Sequence, residues 1–125
     1  MNKKTVLLIK ESKKDKRILS IILFGSTARG KKNRDIDICI VLYKKTSNLE
    51  MSKIRLKFSL ILRENYDIHV FQQLPLYIRK EILKDGKILI SKNNKKLYEI
   101  AFQTIKEFNL YEKIYKNYLY SIKND

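Results

Sequence analysis

Three aspartates and a Gly-Ser pair are the residues of this chain whose types and spacing could do chemistry. Gly25-Ser26 ends the apolar run Ile18-Leu19-Ser20-Ile21-Ile22-Leu23-Phe24, and after eight intervening residues Asp35-Ile36-Asp37 opens a second apolar run that ends at Tyr43. Side chains alternate along a strand, so Asp35 and Asp37 share one face, with Ile36, Ile38, Ile40 and Leu42 on the other. Two neighbouring carboxylates repel each other, and a fold tolerates them when cations sit between them. Hard divalent ions with oxygen ligands suit such a pair, above all Mg²⁺ held by carboxylates together with substrate phosphates. Two such ions can clamp the attacking and leaving oxygens of a phosphoryl displacement.

The Gly-Ser pair supplies the other half. Glycine lets backbone approach a phosphate with no Cβ in the way. A helical turn beginning at Ser26 aims N–H groups and positive partial charge at that phosphate, and the Ser26 hydroxyl adds a donor. Arg29 is placed to reach a β- or γ-phosphate, with Lys31 and Lys32 as weaker candidates. Asp67 opens a later strand, and alternation puts Asp67, His69 and Phe71 on one face. A third carboxylate there would complete the metal site and orient an attacking hydroxyl. Taken singly, Asp67 reads as a turn residue and His69 as a packed or solvent-edge histidine. Asp-x-Asp alone is a weak signal; the set of three strand-opening features is much stronger.

These residues need a scaffold, and the rest of the chain supplies one. Its 125 residues suffice for one domain and one core. With 44% hydrophobic and 33% charged residues the composition is that of a folded soluble protein. No apolar run approaches the length of a membrane span, and the N-terminus lacks a signal-peptide pattern, so a cytoplasmic location is expected. The lone Cys39 lies in an apolar strand, which excludes an intramolecular disulfide and a cysteine-based zinc site. The net charge of +15 favours anionic partners. The basic residues are scattered pairs, however, and nucleic acid is the lesser expectation.

Hydrophobic periodicity predicts a short helix over 3–14, with a strand at 5–9 as the alternative. A buried strand is predicted over 18–24, a helical turn over 26–30 and a strand over 36–43. Leu49, Ile54, Phe58, Ile61 and Leu62 predict an amphipathic helix over 48–64. Next come a strand over 67–71, a helix over 75–85 capped by Gly86, and a short strand over 87–90. The stripe Leu97, Ala101, Thr104, Phe108, Tyr111, Tyr115, Tyr118, Ile122 predicts one long helix or two collinear ones. The expected fold class is α+β: a small mixed α/β sheet, helices mainly on one face, and a long C-terminal helix.

The set Leu23-Phe24-Gly25-Ser26-Thr27-Ala28-Arg29-Gly30, Asp35-Ile36-Asp37-Ile38 and Asp67-Ile68-His69-Val70 resembles the nucleotidyltransferase superfamily that includes DNA polymerase β, and most of all its minimal (MNT) branch. The stretch from Leu74-Pro75 to Ile90 is similar to the segment after the third aspartate in that branch, so the likeness spans roughly 18–91. The resemblance implies a palm-like sheet and two Mg²⁺ ions bound by Asp35, Asp37 and Asp67. It implies a nucleoside triphosphate, with ATP expected, held at Gly25, Ser26 and Arg29. It further implies transfer of a nucleoside monophosphate with release of pyrophosphate. Many minimal members act as antitoxins beside a helical HEPN ribonuclease toxin, where adenylylation of a toxin tyrosine is the implied reaction. One departure is plain: the connector between Ser26 and Asp35 is about two residues shorter than usual, and Arg34 stands where a serine is common.

The expected organisation is a single nucleotidyltransferase domain over 1–125, with a core at about 18–91 and a C-terminal helical segment at about 94–123. Two further functional readings remain open at this level. One keeps the chemistry and changes the acceptor to an RNA 3′ end or a small molecule. The other is a non-catalytic antitoxin acting by occlusion, its partner held on the tyrosine-rich face of 97–122. Self-association is compatible with each.

Overall fold

The protein is described by a computed structural model over residues 2–25 and 35–124. The turn expected over 26–30 and the connector 31–34, with Ser26 and Arg29, lie outside the described residues.

Helix α1 (Lys3–Lys14) starts where Asn2 Oδ1 accepts the Thr5 N–H at 2.8 Å, an N-cap that settles the ambiguity at 5–9 in favour of helix. Strand β1 (Ile18–Phe24) comes next, then β2 (Ile36–Leu42). Helix α2 (Asn48–Leu62) is capped by Ser47 Oγ, which accepts the Glu50 N–H at 3.1 Å. Strand β3 (Tyr66–Val70) runs into a 3-10 turn (Phe71–Gln73), helix α3 (Leu76–Asp85) and strand β4 (Lys87–Ser91). Helix α4 (Asn94–Lys123) is one continuous helix of 30 residues, opened by Asn93 Oδ1 accepting the Lys96 N–H.

The four strands lie in the order β3-β2-β1-β4. β1 is antiparallel to β2 and to β4, and β2 is parallel to β3. A parallel neighbour requires a crossover, and α2 is that crossover. It packs Met51, Ile54, Phe58 and Leu62 against Ile38, Ile40, Ile68 and Val70, with Leu8 of α1 in the same cluster. Each of these buried apolar side chains contributes about 1.5–3 kcal/mol of gross burial energy.

The opposite face carries Leu19, Ile22, Cys39 and Val41 of the central strands, covered by Phe71, Ile82 of α3 and Leu97 of α4. Helices thus occupy part of this second face as well, because the strands are apolar on both sides along most of their length. Gly86 ends α3, its N–H donating to Ile82 O at 2.7 Å. Its φ of −70° makes no use of glycine's conformational freedom. It is glycine because a Cβ there would overlap the Ile82 carbonyl oxygen and lie 2.5 Å from Ile22 Cγ2.

The apolar cover on this second face thins toward the start of β2 and β3, where aspartates replace isoleucines. That is the end of the sheet that carries the candidate site.

Candidate active site

The pairing of β2 with β3 begins where the Ile36 N–H donates to Asn65 O at 2.8 Å. Asn65 sits at φ 71°, in the left-handed region that asparagine tolerates better than most residues. Ile36 is then aligned with Tyr66, and Asp37 with Asp67. Period-two alternation sends both aspartates to the face that carries Cys39 and Val41, so two carboxylates from adjacent strands meet side by side.

His69 lies on the same face one row further along, aligned with Cys39. Its Nε2 is 3.1 Å from Asp67 Oδ2 and 3.8 Å from Asp37 Oδ1. One ligand atom from each of Asp37, Asp67 and His69 lies within 4.8 Å of the others. The ring is fixed by Phe24 of β1, which meets it edge-on with centroids 5.5 Å apart. The side chains of Asp37 and His69 are about three-quarters buried, and that of Asp67 is more open at 57% exposure. Local sequence alone marks His69 as a packed or solvent-edge histidine; the structure puts it beside both carboxylates. The signal was its place two residues after Asp67, which fixes the same face.

Gly25, at the end of β1, adopts φ 75°. A Cβ on this residue would overlap Oδ2 of Asp37 and lie 3.2 Å from its Cγ. Glycine therefore makes room for a carboxylate here, in addition to any approach of a phosphate. Asp35 is exposed at the entry to β2 and stands outside the close cluster, though its charge still acts on Asp37. Ser26 and Arg29 lie outside the described residues.

The Asp37 carboxyl is held above the ordinary aspartate range, first by burial and then by the negative charges of Asp67 and Asp35, with His69 opposing. Repulsion of this kind is relieved by a cation between the carboxylates. Two carboxylates and an imidazole within 4.8 Å are a donor set that fits a small divalent ion. Asp37 and Asp67 are the residues that would hold it, and such an ion would supply charge neutralisation and Lewis acidity toward a phosphoryl oxygen.

A polar hollow of about 390 Å³ opens beside His69, lined also by Asn48, Ser52, Arg55 and Gln73. A more apolar hollow of about 400 Å³ lies among Ile22, Ile82, Leu97 and Ala101 and is lined by no carboxylate or histidine.

Comparison with known proteins bears on the family. Residues 7–95 match the family model described as polymerase beta, nucleotidyltransferase. A candidate protein adenylyltransferase of Methanocaldococcus jannaschii is 38% identical over 76 residues, covering 58% of this chain and 56% of that protein, so the match spans little more than half of that relative. A chain of a toxin–antitoxin crystallised with AMP-PNP superposes with a TM-score of 0.70 at 19% identity, covering 95% of each chain. A chain of the complex of a tri-AMPylated HEPN toxin with its MNT antitoxin, from Shewanella oneidensis, gives 0.69 at 18% identity, again over 95% of each. At these identities the solved structures establish a shared fold. A mixed sheet that seats two aspartates in register beside a strand-ending glycine, in a chain matched over most of its length by one family model, makes this protein a member of the polymerase β-type nucleotidyltransferase family.

Proposed function

We propose that this protein is a Mg²⁺-dependent nucleotidyltransferase that moves AMP from ATP to a hydroxyl acceptor. The acceptor is a tyrosine of a HEPN-type toxin, which makes the protein an antitoxin. The observation that carries the reading is the register of Asp37 with Asp67 on adjacent strands, next to Gly25. The acceptor class is supported by the adenylyltransferase relative and by the fold shared with an MNT antitoxin of an AMPylated toxin.

In this reading Asp37 and Asp67, with Asp35 at the mouth of the site, would hold two Mg²⁺ ions. Gly25, Ser26 and Arg29 receive the triphosphate. The ions supply charge neutralisation at the transferring phosphoryl group when bound. Asp67, the more open of the two clustered carboxylates, faces the approaching acceptor hydroxyl and accepts its proton as the oxygen–phosphorus bond forms. Pyrophosphate leaves with the electron pair of the broken bond. Phe24 packs edge-on against His69, which lies beside Asp37. The chain acts as one domain with its C-terminal helix. A cytoplasmic location belongs to this reading, since ATP is the substrate. Among the described residues no helix is long and apolar enough to cross a membrane.

The test is incubation with labelled ATP, Mg²⁺ and a HEPN partner, alongside Asp37→Asn and Asp67→Asn. Label on a partner tyrosine that vanishes in both variants is the expected result. Label on RNA, or toxin neutralisation that survives both substitutions without label, would overturn it.

A further inference from the structure

Asp37 and Asp67 offer only oxygen, the donor type suited to Mg²⁺. His69 brings an imidazole nitrogen to the same point, and three observations bear on what it does there. The first is distance. Ligand atoms about 2.0–2.1 Å from an octahedral ion are about 2.9 Å apart when adjacent and about 4.1 Å when opposed. Nε2 of His69 lies 3.1 Å from Asp67 Oδ2, close to the adjacent spacing, and 3.8 Å from Asp37 Oδ1, between the two spacings.

The second observation is rigidity. The residue lies within β3, aligned with the fully buried Cys39, and Phe24 holds the ring from the side. Little reorganisation separates this arrangement from ligation. The third is the lack of competition: among the described residues, Nε2 has no carboxylate within 4.0 Å other than the two that would share the ion. A cation placed between these atoms would find nitrogen and oxygen already facing it.

We infer that His69 is a direct nitrogen ligand of a divalent ion at this centre, and that the centre therefore binds Mn²⁺ more tightly than the Mg²⁺ it also accepts. The inference rests on the reading of Asp37 and Asp67 as metal-binding carboxylates. An imidazole among carboxylates favours a first-row transition ion, because nitrogen binds it more strongly than it binds Mg²⁺, while the two oxygens suit either ion. Mn²⁺ is the member of that row nearest to Mg²⁺ in its acceptance of carboxylate and phosphate oxygens.

The test is pulsed electron paramagnetic resonance on the full chain loaded with Mn²⁺, with no nucleotide present so that no other nitrogen ligand is added. A ¹⁴N coupling of directly bound imidazole is expected. It should be absent from His69→Ala and His69→Gln, with Mn²⁺ affinity about 10–100-fold weaker and Mg²⁺ affinity changed much less. Mn²⁺ that binds in an Asp37-dependent way without ¹⁴N coupling would overturn the inference and leave the carboxylate site standing. Failure to bind Mn²⁺, or binding indifferent to Asp37→Asn, would overturn both. The wild-type spectrum decides the point even if a variant folds poorly.

Discussion

The carboxylate of Asp37 fills the space in which Gly25 lacks a side chain. The two residues come from strands that pair Phe24 with Asp37, and a β-carbon on Gly25 would overlap Asp37 Oδ2. Gly25→Ala therefore meets two penalties. A non-glycine residue at φ 75° costs about 1–2 kcal/mol, and the methyl group pushes the carboxylate out of the cluster. Thermal unfolding should register the first as a lowered midpoint. Nucleotidyl transfer should fall more than about tenfold at temperatures where the variant is fully folded; wild-type activity there would refute the packing argument.

Asp37 should behave oppositely toward stability and toward metal. Burial and the neighbouring carboxylates raise its carboxyl in the folded state. A group raised on folding favours the native state at low pH, and that contribution is lost as pH rises through the folded value. Near neutrality, without a cation, the ionised pair with Asp67 is a cost. Asp37→Asn should leave the metal-free melting temperature equal or higher, abolish the rise that millimolar divalent ion gives the wild type, and reduce transfer by at least about 100-fold. Calorimetric melting with and without the ion checks each sign.

Acid should attack a different place. Asp15 is nearly buried and accepts from Arg17 Nε at 2.9 Å and Nη2 at 2.7 Å, with Lys57 at 3.5 Å. The hydrogen bonds from Arg17 hold its carboxyl down at about 2, against 3.8 for a free side chain. A depressed carboxyl stabilises above its unfolded value and loses that contribution as pH falls through the folded one. About 1–2 kcal/mol, discounted for the exposure of Arg17, should be lost between about pH 4 and pH 2. Asp15→Asn should flatten that part of the stability curve, as read by urea titration.

Asn65 controls the register that brings the aspartates together. Its carbonyl accepts from Ile36 and its backbone is left-handed. Asn65→Gly should be nearly neutral. Asn65→Val, β-branched at a positive φ, should cost at least about 1–2 kcal/mol and loosen divalent-ion binding. Equal stability of the two variants would show that the turn does not set the register.

Much of this was legible in the chain because the signals were local. The apolar runs, the capping residues Ser47 and Asn93 and the period-two placement of Asp37, Asp67 and His69 depend on near neighbours. Three things were not legible for the opposite reason. The purpose of Gly25 lies in its approach to Asp37 across the fold, and that of Gly86 partly in its approach to Ile22. The position of His69 beside two carboxylates needs the parallel pairing of β2 and β3, which no short window contains. The cover of the second sheet face by α3 and α4 depends on long-range packing of Ile82 and Leu97.

The parallel pairing has one more consequence. Asp37 and Asp67 stand about thirty positions apart, and only the crossover through α2 brings them abreast. A chain that has not yet formed this crossover thus lacks the pairing of Asp37 with Asp67. Assembly of this carboxylate pair is thereby tied to completion of the β2–α2–β3 crossover, a pairing of strands distant in sequence.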